Sequence, residues 1–209
     1  MKRTVVYPTL DIELELWREG YSRVAGVDEV GMGPLAGPVV AAAVVLPPVS
    51  GKAYADAFPK GVRDSKTLTQ VARERLEPEI LKVAVGVGIG VVGVDDIDKI
   101  NVYQAGLKAM RLALDQLPQP CDYALLDGRM LKNWGNAQRA IIKGDLNVYS
   151  IAAASIIAKT YRDRLMVQLD ANYPEYGFAR HKGYGTVAHR NALREYGPCL
   201  AHRRSFRLV

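Results

Sequence analysis

The chain has 209 residues, 49% of them hydrophobic and 24% charged, and a formal net charge of +6, which is the composition of an ordinary globular protein. Its two cysteines are too few for a disulfide framework, and no apolar run reaches the roughly 18 uncharged residues of a membrane-spanning helix. Because Asp11 and Glu13 interrupt the N-terminal stretch in which a secretory signal would lie, we expect a cytoplasmic protein with no membrane partner.

The first half of the chain contains three stretches typical of β-strands. Residues 23–30 and 38–46 are rich in valine and alanine, and residues 83–94 alternate valine or isoleucine with glycine. Because their connections can be short, we predict three consecutive antiparallel strands. Glycines in the third strand allow another backbone to approach it closely.

A helix is predicted next, over residues 95–117, because apolar residues recur there at intervals of three and four. Short strands follow at 123–126 and 140–142, and residues 150–166 form a helix so apolar that it must be largely buried. This order predicts an α/β fold in which helices flank a mixed β-sheet. We place this main domain at residues 1–177 and include in it an N-terminal segment, residues 1–20.

The end of the chain, residues 178–209, is predicted to be a small helical or irregular extension. It holds seven lysines and arginines against one acid, Glu195, so the whole excess of positive charge lies there. One interpretation is a solvated basic tail. The other is a surface for a polyanion, since contacts between cations and phosphates release counterions. Tyr184 lies among these cations, where it either stacks on a sugar or base or belongs to the core.

Acidic residues at the ends of predicted strands are the most distinctive feature of the sequence. Asp28 and Glu29 end the first strand, Asp127 ends a later one, and Asp145 follows another. Carboxylates that converge at neighbouring strand ends repel one another, and a divalent cation removes that repulsion. Oxygen ligands favour Mg²⁺ or Mn²⁺, and two such ions about 4 Å apart can catalyse phosphodiester hydrolysis. Helix caps and Asx turns are the alternative explanation for such residues.

Other acidic residues have simpler explanations. Asp95, Asp96 and Asp98 fit the first turn of the predicted helix, where negative charge is favourable. Asp163 lies four residues after Lys159, a spacing that predicts a helical ion pair. Cation binding is the alternative for each group, and the local helical explanation is the simpler one.

A glycine-rich segment, residues 31–37, directly follows the first acidic pair. It matches neither a dinucleotide-binding fingerprint nor a P-loop. Its glycines either allow backbone groups to approach a ligand closely or form a tight turn between strands. Because it lies beside two carboxylates, this segment is a candidate for contact with a ligand.

Eight segments in a fixed order, from about Val24 onward, form a highly specific set. They are GVDEVGMGPLAGPVVAAAVVL from Gly26, DSKTL from Asp64, DDIDKINVYQAGLKAM from Asp95, LLDG from Leu125, KGD from Lys143, SIAAASIIAKTYRDRLM from Ser150, HKGYGT from His181 and HRRSF from His202. This set resembles the ribonuclease HII family, the type 2 ribonuclease H of bacteria.

The resemblance implies a ribonuclease H-like fold with a C-terminal helical extension, and catalysis by Asp28, Glu29, Asp127 and Asp145 with Mn²⁺ or Mg²⁺. The implied reaction is hydrolysis of the RNA strand of RNA–DNA hybrids, including single ribonucleotides embedded in duplex DNA. The products carry 3′-hydroxyl and 5′-phosphate ends. The implied setting is DNA replication and ribonucleotide excision repair, and we expect the protein to be a monomer.

Substrate contacts follow from the same resemblance. Tyr184 corresponds to the family's junction-sensing tyrosine. Gly31-Met32-Gly33 corresponds to its Gly-Arg-Gly motif, which contacts the ribose 2′-hydroxyl. Basic residues near these segments are predicted to contact phosphates. They are Lys66, Lys182, Arg203 and Arg204.

Met32 is the main departure from the family, because an arginine is usual there. If backbone groups contact the 2′-hydroxyl, the protein still distinguishes RNA from DNA without the arginine. If the family's arginine also binds a phosphate, its replacement by methionine lowers the affinity for the substrate and the salt dependence of that affinity. Gly185 replaces a common proline and loosens the loop of Tyr184, and Pro78 is expected to shorten the helix after DSKTL. Two alternatives stay open. One is another nuclease of the same superfold, of resolvase or exonuclease type. The other is a hybrid-binding protein whose activity is reduced by Met32.

Overall fold

The computed structural model describes residues 7–49 and 57–209, so the first six residues of the predicted N-terminal segment lie outside the described part. Within these ranges, no helix is long and apolar enough to cross a membrane. The strands are β1 (Val24–Val30), β2 (Val39–Val45), β3 (Gly86–Val92), β4 (Tyr123–Asp127) and β5 (Ala137–Ile141). The helices are α1 (Asp11–Arg18), α2 (Gln70–Val83), α3 (Val94–Ile100), α4 (Val102–Asp115), α5 (Gly144–Asn147), α6 (Tyr149–Asn172), α7 (Phe178–His181) and α8 (Val187–Tyr196).

The described strands form a mixed five-stranded sheet in the order β3-β2-β1-β4-β5. Consecutive strands β1, β2 and β3 pair antiparallel, as predicted, whereas β4 runs parallel to β1 and β5 parallel to β4. The parallel pairing of β1 with β4 places Val27 beside Leu126. The residues that follow these two, Asp28 and Asp127, are therefore neighbours across adjacent strands.

Helices cover both faces of the sheet, which explains why β2 is buried along its whole length. On one face, Ala42 and Val44 belong to an apolar cluster with residues of α2 and α6. On the other face, the alternate residues Ala41 and Ala43 pack with residues of α4. The continuous apolar run at 38–46 is thus a central strand covered on both sides.

Glycines of β3 allow α4 to lie very close to the sheet. A Cβ atom on Gly88 would lie 2.0 Å from the carbonyl oxygen of Ala113. One on Gly90 would lie 2.0 Å from the carbonyl oxygen of Ala109. No side chain fits at such distances, so the predicted close approach of another backbone to this strand is confirmed.

The predicted helix over residues 95–117 consists of two helices, α3 and α4. They meet at Asn101, which has a φ of 68° and whose side chain accepts a hydrogen bond of 3.0 Å from the backbone N–H of Gln104. Both helices contribute to one apolar cluster, through Ile97 and Ala105. The apolar period therefore continues through the break, and periodicity alone does not reveal it.

Pro78 does not shorten α2, contrary to the prediction, because the helix runs to Val83 with the proline inside it. The proline lacks the N–H that would bond to the carbonyl oxygen of Glu74, but both residues are exposed, so water can reach that oxygen. Because α2 includes Val83, β3 starts only at Gly86 rather than at residue 83. Helix α6 is longer than predicted and ends at Asn172.

The C-terminal residues fold back onto the loop that follows β1. Leu35 and Ala36 of that loop form an apolar cluster with Tyr176 and Phe178. An antiparallel bridge joins Ala36 to His202. This segment contains α7 and α8, so it is helical as predicted, and it packs against the loop next to the end of β1.

Candidate active site

Asp28 and Glu29 lie near the end of β1 and face opposite sides of the sheet. In the β1–β2 register, Asp28 is opposite Ala42 and Glu29 is opposite Ala41. Ala42 belongs to the cluster with α6, and Ala41 to the cluster with α4. Because side chains alternate along a strand, Asp28 faces the α6 side and Glu29 the α4 side.

Asp127 and Asp145 are brought together by the turn after β5. The Oδ1 atom of Asp127 accepts a hydrogen bond of 2.6 Å from the backbone N–H of Gly144. Lys143, before it, has a left-handed backbone with a φ of 56°. A Cβ atom on Gly144 would lie 2.6 Å from the end of the Ile151 side chain, so a larger residue there would require Ile151 to move. This turn places Asp145 in α5, close to the end of β4.

The four carboxylates are close enough to affect one another's pKa. Burial is the largest cause that raises the pKa of Asp28 well above its usual range, and Glu29, Asp127 and Asp145 add to it. Burial and then Asp127 raise the pKa of Glu29 to about 7. The same two causes raise the pKa of Asp145. The structure thus brings the four predicted acids into one group, which we call the acidic centre.

Lys66 extends to this centre from the short 3-10 helix Ser65–Thr67. Its Nζ atom lies 3.8 Å from Oδ2 of Asp145, while its side chain is 68% exposed. Burial works to lower the pKa of Lys66, but the carboxylates of Asp28 and Asp145 outweigh it and raise that pKa. Lys66 is therefore a cation at the rim of the acidic centre, in a position that suits the predicted phosphate contact.

Asp28 offers an oxygen with no partner in the described protein. Its Oδ1 atom accepts the backbone N–H of Glu29 at 2.8 Å, whereas its Oδ2 atom is buried and has no hydrogen-bond partner within 3.5 Å among the described residues, although the Ser155 hydroxyl is near enough to lower the pKa of Asp28. Such an oxygen is costly unless a cation binds it, and an all-carboxylate donor set fits Mg²⁺ or Mn²⁺. Among the described residues, no three acidic, histidine or cysteine side chains already stand close enough to enclose an ion. A bound cation would therefore draw these carboxylates together.

The predicted substrate-reading residues also meet. The backbone N–H of Leu35 donates to the carbonyl oxygen of Gly183 at 2.8 Å, which joins the glycine-rich loop to the segment of Tyr184. A Cβ atom on Gly33 would lie 3.8 Å from Cε1 of Tyr184. The tyrosine is 45% exposed, so its ring is accessible beside the loop. Gly31 has a φ of 90°, a conformation that favours glycine.

The side chain of Met32 packs against α4. A Cβ atom on Gly106 would lie 3.1 Å from its Sδ atom, and Met32 contacts the apolar cluster on that face of the sheet. Gly33, in contrast, is exposed. The methionine side chain therefore serves packing, and the backbone at Gly33 is the part of the loop that faces solvent.

Arg203 is completely buried, which does not fit the phosphate contact predicted for it. Its guanidinium donates hydrogen bonds to the carbonyl oxygens of Gly31 (2.6 Å), Met32 (3.2 Å) and Gly37 (2.8 Å). Burial, and then the neighbouring Arg162, lower the pKa of Arg203 to about 9, so it stays charged at neutral pH. The contacts show that Arg203 holds the glycine-rich loop in shape.

Arg162, in α6, supports the same loop, although the sequence analysis did not single it out. It donates hydrogen bonds to the carbonyl oxygens of Ala36 (3.2 Å), Pro38 (2.9 Å) and Lys182 (3.0 Å). It therefore joins the loop to the segment of Tyr184. A basic residue within an otherwise buried helix is the sequence signal that points to it. We call Arg162 and Arg203 the arginine clamp.

Two buried histidines lie behind Tyr184 and form what we call the histidine chain. Nδ1 of His189 lies 2.9 Å from the carbonyl oxygen of Tyr184, and its Nε2 lies 3.0 Å from Nε2 of His202. The backbone N–H of Cys199 donates to Nδ1 of His202 at 3.0 Å. These partners assign neutral tautomers, in which His202 donates to His189 and His189 donates to the carbonyl. The chain anchors the backbone of Tyr184.

The side chains of Lys182 and Arg204 differ in whether they already have a hydrogen-bond partner in the part of the chain that the structure describes. The Nζ atom of Lys182 donates to the carbonyl oxygen of Ala179. Arg204 is exposed, and its backbone N–H donates to Asp98 at 2.9 Å. The phosphate contacts predicted for both side chains stay predictions, and the one for Lys182 requires exchange of its present hydrogen bond.

The acidic residues set aside from the centre have partners of their own. Asp163 contacts Lys159 at 2.6 Å and Arg73 at 3.2 Å, which confirms the predicted helical ion pair. Asp96 lies in the first turn of α3, as predicted, and contacts Lys108 at 2.7 Å.

Carboxylates grouped at the ends of neighbouring parallel strands, on a sheet of this order, are the arrangement of a hydrolytic nuclease with a ribonuclease H fold. The family model for ribonuclease HII matches residues 25–209. The chain belongs to the ribonuclease HII family. It is a ribonuclease H, a hydrolytic endonuclease acting on RNA–DNA hybrids, from a divalent-metal-dependent family.

Curated relatives named ribonuclease HII match nearly the whole chain. The one from Syntrophotalea carbinolica is 50% identical over 209 residues, which are 98% of this chain and 97% of that protein. The one from Chlamydia trachomatis serovar A is 49% identical over 212 residues, covering 99% and 94%. These likenesses favour a ribonuclease H over the resolvase or exonuclease alternative.

Solved structures confirm the predicted fold. The ribonuclease H2 of Pyrococcus horikoshii OT3 aligns with a TM-score of 0.71 and 26% identity, covering 89% of this chain and 94% of that one. The Archaeoglobus fulgidus ribonuclease HII, solved in a complex with PCNA, aligns with a TM-score of 0.72 and 25% identity, covering 88% and 95%. A Bst ribonuclease HIII in complex with Mn²⁺ shares the fold, with a TM-score of 0.64 and 20% identity over 90% and 68%.

Proposed function

We propose that this protein cuts the RNA strand of RNA–DNA hybrids, including single ribonucleotides embedded in duplex DNA, by two-metal-ion hydrolysis. The products carry 3′-hydroxyl and 5′-phosphate ends. The observation that carries this proposal is the placement of Asp28 and Asp127 on adjacent strands, with Asp145 beside them through the Gly144 hydrogen bond to Asp127, next to a loop joined to the segment of Tyr184.

Asp28, Glu29, Asp127 and Asp145 would hold the Mn²⁺ or Mg²⁺ ions. When bound, these ions supply Lewis acidity to the phosphate and to the reacting oxygens. Among the described residues, the Oδ2 atom of Asp28 has no hydrogen-bond partner, and a bound cation would supply one. The raised pKa values of Asp28 and Glu29 also support this assignment, because a bound cation lowers the cost of ionising these carboxyl groups. The Mn²⁺ complex of the Bst ribonuclease HIII is consistent with it.

The chain's own side chains orient the substrate in this proposal. The exposed ring of Tyr184 suits stacking on a sugar or base at the RNA–DNA junction. The exposed backbone at Gly33, beside that ring, suits contact with a ribose 2′-hydroxyl, the group that distinguishes RNA from DNA. The exposed side chains of Lys66 and Arg204 suit phosphate contacts. We further propose that the protein acts as a monomer.

Asp28→Asn tests this proposal on duplex DNA that contains one ribonucleotide. With Mn²⁺, the wild-type protein should cut on the 5′ side of the ribonucleotide and leave a 3′-hydroxyl and a 5′-phosphate. The variant should cut more slowly by on the order of a thousandfold or more, because asparagine cannot supply the charge that holds the cation. Hybrid binding, measured by fluorescence anisotropy, should be largely kept.

Asp115→Asn is the matched control, because Asp115 is exposed on α4 and contacts Arg111 at 3.3 Å. It makes the same chemical change outside the acidic centre and should leave cutting unchanged. Metal-dependent cutting by Asp28→Asn at the wild-type rate would contradict the proposal. Cutting of the same duplex without any ribonucleotide would contradict the assigned substrate.

A further inference from the structure

A small cavity of about 170 Å³ adjoins the acidic centre on the α4 side. Its lining includes Glu29 and Asp127 of that centre, together with Met32, Tyr103 and Arg129. The function proposed above uses the acids but gives no role to Tyr103 or Arg129. Tyr103 and Arg129 therefore lie next to the acidic centre and have no assigned role.

Backbone hydrogen bonds fix the position of Arg129 relative to Asp127. Gly128, between them, has a φ of 75°, and its N–H donates to the carbonyl oxygen of Ile141 at 2.9 Å. The N–H of Arg129 donates to the carbonyl oxygen of Asp127, also at 2.9 Å. The turn thus holds the Arg129 backbone at a set place beside the carboxylate that ends β4.

The Arg129 side chain rests on an aromatic ring and is otherwise free. Its guanidinium lies 4.5 Å from the centroid of the Tyr103 ring. Within the described ranges, it has no ion pair and no side-chain hydrogen bond. Both side chains are exposed. Stacking on the ring leaves the N–H edge of the guanidinium open, and that edge matches the geometry of a phosphate.

The charge around the acidic centre indicates a role for the Arg129 guanidinium. Four carboxylates repel an approaching phosphodiester, and Lys66 offsets that repulsion on the side of Asp145, 3.8 Å away. On the side of Glu29, the loop contributes only the uncharged Met32, which packs against α4. Arg129 lines the same cavity as Met32 and carries the missing positive charge.

We propose that Arg129, supported by Tyr103, binds a backbone phosphate of the substrate beside the acidic centre, on the side where Met32 offers no charge. This inference rests on the proposed function. It assigns to the cavity a phosphodiester group of the hybrid as its ligand. Tyr103 is then a positioning residue, because it acts through the guanidinium that it supports.

The test is the salt dependence of hybrid binding, measured by fluorescence anisotropy in EDTA so that no cutting occurs. Loss of one phosphate contact should reduce the slope of log affinity against log salt concentration by about 0.9. Arg129→Gln should show this reduction and should bind roughly three- to tenfold more weakly at low salt. Arg75→Gln is the matched control, since Arg75 is a 59% exposed side chain of α2 that contacts Glu79. It removes the same charge and should keep the wild-type slope.

Two more variants separate a direct contact from a change in folding. Arg129→Lys keeps the charge and should keep the slope. The double variant Arg129→Gln/Met32→Arg returns an arginine to the same cavity and should recover the slope. A wild-type slope in Arg129→Gln overturns this inference alone. Absence of hybrid binding by the wild-type protein overturns the proposed function and this inference together.

Discussion

The acidic centre and the arginine clamp both consist of buried charged groups, but only the clamp is complete within the protein. Arg162 and Arg203 donate to backbone carbonyl oxygens of the glycine-rich loop and its neighbours. In the acidic centre, Asp28 has an oxygen that no residue in the described part of the chain hydrogen-bonds, and burial, then Asp127, raise the pKa of Glu29 to about 7. The buried polar groups thus have partners where the protein holds a loop in shape, and lack one where we propose that it binds cations.

The largest effect on stability is expected from Arg203→Met, which breaks the clamp. The variant leaves the carbonyl oxygens of Gly31, Met32 and Gly37 without their donor. Each buried acceptor left unpaired costs about 1–3 kcal/mol, so we expect the free energy of unfolding in urea to fall by about 4 kcal/mol.

Arg207→Met is the matched control, because Arg207 is exposed in the same segment and the change removes the same charge. It should alter the free energy of unfolding by less than about 0.5 kcal/mol. Arg203→Lys keeps a charge but not the planar fork, so it should lie between the two. Equal stabilities of Arg203→Met and Arg207→Met would remove the structural role assigned to the clamp.

The next largest effect is the response of the metal-free acidic centre to pH. Because the folded-state pKa of Glu29, about 7, exceeds its ordinary value of 4.5, the folded protein binds more protons than the unfolded chain between these values. Its stability should therefore fall as pH rises through this window, by on the order of 3 kcal/mol. Urea unfolding in EDTA at a series of pH values measures this fall.

Saturating Mn²⁺ should remove the decline, because the bound cation favours the ionised carboxylates of the folded state. Glu29→Gln, in EDTA, should show a smaller decline than the wild-type protein, because Asp28 and Asp145 keep their raised pKa values. An equal pH dependence of the metal-free wild-type protein and Glu29→Gln from pH 4.5 to 7 would show that the Glu29 carboxylate does not destabilise the fold. The contrast between centre and clamp would then be lost.

The two regions also differ in how far the sequence predicts them. The mixed sheet and the positions of the candidate acids were predictable, because apolar strands followed by Asp28 or Asp127 are local patterns. The spacing left helix caps and Asx turns open as explanations of these acids, and their catalytic role was implied only by the resemblance to ribonuclease HII. The role of Arg203 was not predictable, since its burial depends on a contact with Gly31, 172 positions away in the chain. A basic residue in a basic segment gives no local sign that it is buried.

The break between α3 and α4 and the side-chain contacts of the cavity were also not predictable from the sequence, although the residues concerned are closer together in the chain. Asn101 interrupts a helix without interrupting its apolar period, so the pattern predicts one helix where there are two. Arg129 directly follows LLDG, but nothing local indicates that its side chain lies over Tyr103. Contacts between distant side chains decide both roles, and one sequence alone does not contain them.

The smallest effect is expected in the histidine chain, and its sign is opposite to that of the acidic centre. Burial, and then His189, lower the pKa of His202 to about 4, below its ordinary value of 6.5. The folded state therefore binds fewer protons than the unfolded chain in this window, so stability is complete above pH 6.5 and is lost as pH falls towards 4. Protonation removes the acceptor at Nδ1 that receives the backbone N–H of Cys199.

This decline is best measured by comparing two proteins that both carry Glu29→Gln, which removes the opposing contribution of Glu29 and leaves those of Asp28 and Asp145 the same in both. Urea unfolding in EDTA should show a loss of about 2 kcal/mol or less between pH 6.5 and pH 4. The double variant Glu29→Gln/His202→Gln cannot protonate at that position and should lose less stability over the same range. An equal decline in both proteins would show that the histidine chain is not its source. A smaller decline in the double variant would show that the groups anchoring the Tyr184 backbone must stay neutral. The acids of the neighbouring acidic centre have the opposite requirement in our proposal, because they must become ionised.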